Sequence, residues 1–335
     1  MPLQRLMVWH NSLTIHRITE MKKMTFNPTL SSKKSRKIKR FMPLYLMMIP
    51  GLTYLIINNY LPMPGLMIAF KKFKYNKGIW GSPWVGLKNF TFLVNSQDLA
   101  LLLRNTILYN VAFIVLGTLL SITVAILLNE LHKKKLQQTF QTIILIPHLM
   151  SYVIIAYIVY ALFGGEYGMI NGSILKPLGL QPISWYTEEQ HWPYILTIVN
   201  LWKSFGYSSI VYYATIVGFD VSLYEAALVD GANKFQCIFK ITLPLLKHVI
   251  ITLTLFSIGH IFYSDFGLFY QVPMNSGMLY NTTSTIDTYV YKGLMGDSNL
   301  GRASAAGFIQ SFAGFICVLA ANTVVRKLEA ESALF

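Results

Sequence analysis

The chain has 335 residues, 54% of them hydrophobic and only 13% charged, with positive mean hydropathy and a formal net charge of +14. A soluble domain carries about 25% charged residues, so this composition excludes an ordinary globular protein and indicates a helical membrane protein. The positive charge does not indicate nucleic acid either, because Lys and Arg flank apolar runs instead of forming one basic face.

Residues 1–40 hold ten Lys or Arg against one acid, Glu20. The apolar run after Arg40 is too long for a signal-peptide core and has no small-residue cleavage site. The reading is a mobile cytoplasmic arm lying on anionic lipid. A membrane helix needs roughly 20 apolar residues. Six segments meet this: Met42–Met63, Leu102–Leu128, Phe140–Phe163, Tyr194–Gly218, Val249–Tyr270 and Ser304–Val325. Pro50 and Gly51 interrupt the first and Pro147 the third. The fold class is therefore an all-α membrane protein with six transmembrane helices. The chain divides into the arm at 1–40, a first helix with its external segment at 41–101, a core at 102–327 and a cytoplasmic tail at 328–335.

With both termini inside, the internal side carries roughly twice the Lys and Arg of the external side. Lys71, Lys72, Lys74 and Lys77 run against that bias. This topology predicts a multi-pass protein of the bacterial plasma membrane and puts the loop at 220–247 in the cytoplasm. Three external segments, 64–101, 164–192 and 271–302, exceed the length of ordinary connections.

The cytoplasmic loop reads as a helix–turn–helix. Ser222 and Glu225 have capping-box spacing, Val221 and Ala226 occupy the staple positions, and Gly231 suits the left-handed residue that ends a helix. A second short helix fits from about Asn233 to Thr242, ended by Pro244.

No catalytic site assembles. The P-loop G-x-x-x-x-G-K-[ST], H-E-x-x-H, G-x-S-x-G and G-x-G-x-x-G are all absent, and the seven histidines are scattered. Cys237 and Cys317 form neither a C-x-x-C pair nor metal-ligand spacing and read as unpaired thiols. No metal or bound cofactor is expected, and the chain is not an enzyme. Uphill transport then requires energy from another subunit or an ion gradient.

Polar residues inside spans are expensive, at about 2.5–3.5 kcal/mol for a charge near the bilayer centre. Lys203 lies within the fourth predicted span, and Ser257, His260 and Ser264 share one face of the fifth, with Asp265 beside it and Tyr263 nearby. These six form the expected substrate pathway; helix–helix hydrogen bonding is the alternative. Aromatics crowd the external ends of spans three to five, including Trp185, Tyr186, Trp192, Tyr194, Phe266 and Phe269. An interfacial belt accounts for most of them, and a sugar-binding surface for some.

One pattern is more specific. Glu225-Ala226-Ala227, three residues, Gly231, nine residues, Ile241, one residue, Leu243-Pro244 resembles the EAA signature of binding-protein-dependent ABC importer permeases. Trp84-Val85-Gly86-Leu87-Lys88-Asn89-Phe90, Asn105-Thr106, Gly168-Met169-Ile170-Asn171, Trp202-Lys203 and Tyr270-Gln271-Val272-Pro273 resemble the carbohydrate branch of that family, the LplB- and MalF-like permeases. Ile286-Asp287-Thr288-Tyr289-Val290-Tyr291 does the same. The resemblance covers roughly residues 40–327. It implies the type I importer permease fold, with Glu225, Ala226, Ala227, Asp230, Gly231, Ile241, Leu243 and Pro244 forming a coupling helix–turn–helix against an ATPase.

The implied partners are a second homologous permease, two ATPase subunits that use ATP and Mg, an extracytoplasmic solute-binding protein and an oligosaccharide or polysaccharide fragment. Two other readings stay open on sequence alone. One is an ABC permease for peptides or amino acids. The other is an ion-coupled secondary transporter using Asp265, His260 or Lys203.

Overall fold

The computed structural model describes residues 30–95, 97–296 and 300–328. The chain divides into two compact units, Met1–Pro64 and Gly65–Phe335. In the first, helix α1, Leu30–Leu55, runs through Pro43 and Pro50 and passes into a π turn at Ile56–Tyr60. The break expected at Pro50 and Gly51 does not occur there; the helix departs from α geometry only from Ile56. Residues 30–40, expected to belong to the arm, continue the helix. The rest of the arm and the last seven residues of the tail lie outside the described residues.

In the second unit the helices are α2, Lys88–Asn95; α3, Gln97–Asn129; α4, Lys134–Leu149; and α5, Tyr152–Phe163. They are followed by α6, Trp192–Val217, and α7, Val221–Val229. The last three are α8, Lys234–Gly259; α9, Ile286–Met295; and α10, Leu300–Leu328. Among the described residues no strand forms, and only Lys71 and Trp84 make an isolated bridge.

Among the described residues, four helices are long and apolar enough to cross a membrane: Phe41–Phe70, Asp98–Asn129, Lys234–Gly259 and Leu300–Lys327. Taken together as one span, α4 and α5 make a fifth, bent by 96° between Leu149 and Tyr152. The remaining expected span, the fourth, corresponds to α6, which has the length, 26 residues, but not the apolarity. Asn200, Lys203 and a run of Ser and Tyr dilute it.

Two other expected spans differ from continuous helices. The third breaks at Met150 and Ser151, just beyond Pro147, and Ser151 caps α5 by accepting from the Ile154 N–H. The fifth, expected at Val249–Tyr270, ends at Gly259; the chain then turns and resumes as a π turn at Gly267–Gln271. The short helix expected to stop before Pro244 instead continues into α8. A π turn at Ile238–Thr242 sends the Leu243 N–H to the Ile238 carbonyl, and Pro244 falls in the first turn of the next α segment, where no amide hydrogen is required.

The unit is organised around α3 and α6, which pack along each other. Of three buried clusters among the described residues, two bear on the functional site and form at different heights. One gathers Tyr109, Ile155, Val159, Trp192, Leu196, Phe269 and Leu279, with Phe163, Trp185 and Tyr186 packed against it. The other gathers Ile122, Ala125, Tyr212, Ile216 and Leu246. The interfacial-belt reading therefore fails for Trp192 and Phe269, which are core residues. It suits Tyr157, Tyr160 and Tyr194, which are exposed.

Close helix contact is set at Gly206, where a Cβ would lie 1.8 Å from the Ile144 carbonyl oxygen of α4. Gly206→Ala is therefore expected to destabilise by about 1–3 kcal/mol through overpacking, read as a lower thermal midpoint of the purified protein. Gly117→Ala, whose Cβ would meet Leu201 Cδ2 at 3.7 Å, should leave the midpoint near wild type.

Candidate transport cavity and coupling loop

Between the two clusters the packing opens. A cavity of about 490 Å³ is lined by α3 (Asn110, Phe113, Thr118, Ser121), α6 (Asn200, Ser204, Tyr207, Ser208) and the end of α8 with the turn beyond it (Phe256, Ser257, His260, Tyr263). On α3 and α6 these residues fall between those of the two clusters, which places the cavity at mid-span. Its walls alternate rings with amides and hydroxyls. Such walls offer flat apolar faces with hydrogen-bonding groups beside them.

Of the six residues expected in the pathway, Ser257, His260 and Tyr263 line this cavity. The other three do not, and the single helix face expected to join Ser257, His260 and Ser264 does not exist because α8 ends at Gly259. Lys203 instead turns to the break between α4 and α5. Its ammonium donates to the carbonyls of Pro147, His148 and Met150 and lies 4.8 Å from the centre of the Tyr152 ring. A lysine meeting the last carbonyls of a helix satisfies groups that lipid cannot. Asp265 serves the next break: one of its carboxylate oxygens accepts the Gly267 N–H at 2.8 Å and the Leu268 N–H at 3.3 Å.

Ser264 belongs to a polar cluster that sequence reasoning missed. Asp287, at the start of α9, accepts from the Ser264 N–H and hydroxyl, both at 2.7 Å, and from Gln310 of α10 at 3.0 Å. Gln310 also donates to the Phe262 carbonyl at 2.8 Å. Asn110 closes the same turn from α3, donating to the carbonyls of Ile261 and Tyr263. The only sequence signal was that Asp287 sat within a motif already noted.

Other motif residues also prove to be pins. Asn105 donates to the carbonyls of Asn281 and Ser284, and Thr106 accepts the Ile286 N–H. Asn171 is buried, donates to Gly165 and Ile183, and accepts from the Ile183 N–H and the Trp185 indole.

At the opposite end of α3 and α8 lies the loop carrying Glu225, Ala226 and Ala227 on α7, none of them buried. The cap differs from expectation. Asp220, not Ser222, caps the helix by accepting the Ser222 N–H at 3.0 Å, and this bond holds the Asp220 carboxyl below the usual carboxylate range.

The end follows expectation. Gly231 adopts φ +80°, with Ala232 N–H to Ala227 carbonyl and Gly231 N–H to Leu228 carbonyl bonds closing a Schellman motif. The capping box of the loop belongs to its second helix: Asn233 accepts the Gln236 N–H and Gln236 accepts the Asn233 N–H. Tyr224 bonds Thr242 at 3.0 Å, and Lys234 pairs with Glu130, just past the end of α3.

Asp230, Gly231 and Ile241 line a hollow of about 380 Å³ beside Ala227. Leu243 and Pro244 lie in the turn that opens the α segment of α8. Val221, Leu228, Val229, Phe235 and Phe239 are exposed around this loop, an apolar surface on a rigidly capped turn.

Residues 117–329 match the sequence model of the family described as binding-protein-dependent transport system inner membrane component. The chain belongs to that family. It is a multi-pass membrane permease subunit and not an enzyme, and the ion-coupled reading falls away. The permease is 34% identical over 295 residues to Protein LplB of Bacillus subtilis (strain 168), covering 88% of this chain and 92% of the relative. It is 34% identical over 293 residues to the polygalacturonan/rhamnogalacturonan transport system permease protein YteP of the same organism, covering 86% and 89%. Among solved structures it is similar to a chain of a bacterial ABC transporter involved in import of the acidic polysaccharide alginate. The TM-score there is 0.81 with 31% identity, covering 89% of this permease and 99% of that chain. A second is the alginate transporter in complex with an alginate pentasaccharide-bound periplasmic protein, with TM-score 0.79, 32% identity and coverage of 88% and 97%.

Asp287→Asn keeps the shape but removes the charge that three donors meet. It is expected to cost about 1.5–3 kcal/mol, read as a lower thermal midpoint. A midpoint equal to wild type would show that the cluster does not hold the turn.

Proposed function

We propose that the permease forms half of the translocation pathway of an ATP-driven importer for oligosaccharides or polysaccharide fragments. The observation that carries this is the mid-span cavity, whose rings, amides and hydroxyls match the C–H faces and hydroxyls of a saccharide. The carbohydrate cargoes named for the relatives support the same class. Ser257, His260 and Tyr263 contact the cargo directly. Lys203, Ser264 and Asp265 act on the pathway by holding its broken backbone.

In this reading the loop at 220–247 faces the cytoplasm and seats in an ATPase subunit, with Glu225, Ala226, Ala227, Asp230 and Gly231 in the contact and Ile241, Leu243 and Pro244 at its root. Two such ATPases use ATP and Mg, and a second homologous permease completes the pathway. An extracytoplasmic solute-binding protein delivers cargo to the opposite face. The small side chains and the Schellman end allow close approach, and the two capped helices keep the loop stiff enough to move as a unit.

Two measurements test this. In reconstituted complexes, Glu225→Lys and Gly231→Asp are expected to abolish ATP-driven uptake with normal assembly in the membrane. Uptake at the wild-type rate would remove the loop from coupling. Tyr263→Ala and His260→Ala are expected to lower the oligosaccharide uptake rate several-fold without changing the affinity of the isolated solute receptor. Unchanged uptake kinetics in both would remove them from the cargo path.

A further inference from the structure

The external stretch after Gly65 is the region whose charge runs against the positive-inside bias, and its fold suggests why. Lys71 is buried at 2% exposure, donating to the carbonyls of Ile79 and Trp80 and lying 4.9 Å from the centre of the Trp84 ring. Around it a fixed loop forms. The Lys72 N–H donates to the Pro83 carbonyl, the Val85 N–H to the Phe70 carbonyl, and the Lys74 N–H to the Ser82 hydroxyl. Asn89 donates to the carbonyls of Ala69 and Lys71.

This ordered loop turns Tyr75, Trp80 and Trp84 outward, at 71%, 74% and 61% exposure. Lys72, Lys74, Lys77 and Lys88 are exposed around them. No Asp or Glu occurs between residues 61 and 97. Exposed aromatics fixed by backbone hydrogen bonds, set among lysines in a stretch without acidic residues, form a surface for an anionic, partly apolar partner.

The height of the loop identifies that partner. Phe70 and Phe90 pack against Phe308, with ring centres 5.4 and 5.8 Å away. Phe308 lies eight residues into α10, about 12 Å from its start at 1.5 Å per residue. Gly301, at that start, abuts Asn89 and the Lys71 carbonyl. The loop therefore sits alongside the first turns of a membrane span, at the end away from the coupling loop. Trp and Tyr collect at the headgroup level of a bilayer, and lysines near an anionic surface are attracted by about 1 kcal/mol each.

We propose that Lys72–Lys88 is a lipid-docking platform that seats Trp80 and Trp84 in the headgroup layer and selects anionic phospholipid through its four exposed lysines. That the layer is the outer leaflet rests on the orientation proposed above; the lipid contact itself does not.

The test uses the full chain in nanodiscs of phosphatidylcholine and phosphatidylglycerol, with one lipid at a time brominated near the top of its acyl chains. The signal from the two tryptophans is the difference between wild type and Trp80→Phe/Trp84→Phe, with each single variant as a control for folding. Brominated phosphatidylglycerol is expected to quench that signal several-fold more than brominated phosphatidylcholine at equal fraction. Reversing the lysines to Glu at 72, 74, 77 and 88 is expected to equalise the two. Equal quenching by both lipids in wild type would overturn the anionic selectivity. Quenching by aqueous iodide but by neither lipid would overturn the platform.

Discussion

The structure depends on one constraint: backbone polar groups that leave a helix inside a membrane must find partners within the protein, because lipid supplies none. Two of the spans of this permease are broken, after Leu149 and after Gly259, and each break is answered by specific side chains. Lys203 meets the carbonyls freed at the first. Asn110, Gln310 and the Asp287 cluster close the second. These residues come from α3, α6, α9 and α10, so the breaks are also where the helices are tied together.

The breaks have a consequence for packing. With α5 swung by 96° away from α4 and the chain turning at His260, one end of the unit packs as a cluster around Trp192 and the end that carries the 220–247 loop around Tyr212. Between them Tyr207, Ser257 and Tyr263 face a space that neither cluster fills. Continuous apolar spans would have carried one core through that level. The cavity thus depends in part on polar residues that sequence reading picked out: Ser257, His260 and Tyr263 line it, while Lys203, Ser264 and Asp265 hold the backbone around it.

The apolar runs gave the positions of the helices directly, since length and hydropathy need no tertiary information. The glycine at 231 was equally legible, because its left-handed role follows from its place after a helix-favouring run. The breaks were less so. Pro147 hinted at the first, but the turn came at Met150, where Lys203, more than 50 residues away, waits for the carbonyls. His260 and Ser264 looked helical in register because periodicity cannot show a turn closed by Asn110 and Asp287 from distant helices. Ser222 reads as a cap because of its spacing to Glu225, whereas the helix begins two residues earlier than that cap implies, at Val221, with Asp220 as its cap. Asp287 left no local trace, since its partners lie 23 residues away in each direction.

In the proposed reading, coupling and cargo meet on α8, which runs from Lys234 in the loop to Gly259 at the cavity. On that reading a displacement at the loop travels along one helix to Ser257, about 24 Å from Ile241 at 1.5 Å per residue. The most direct test of the account is site-specific photo-crosslinking of a labelled oligosaccharide during ATP-driven uptake, with the reactive residue placed at 257 or, as a lipid-facing control, at 157. The account predicts ATP-dependent capture at 257 and none at 157. Sustained uptake with no capture at 257, or equal capture at both positions, would contradict it.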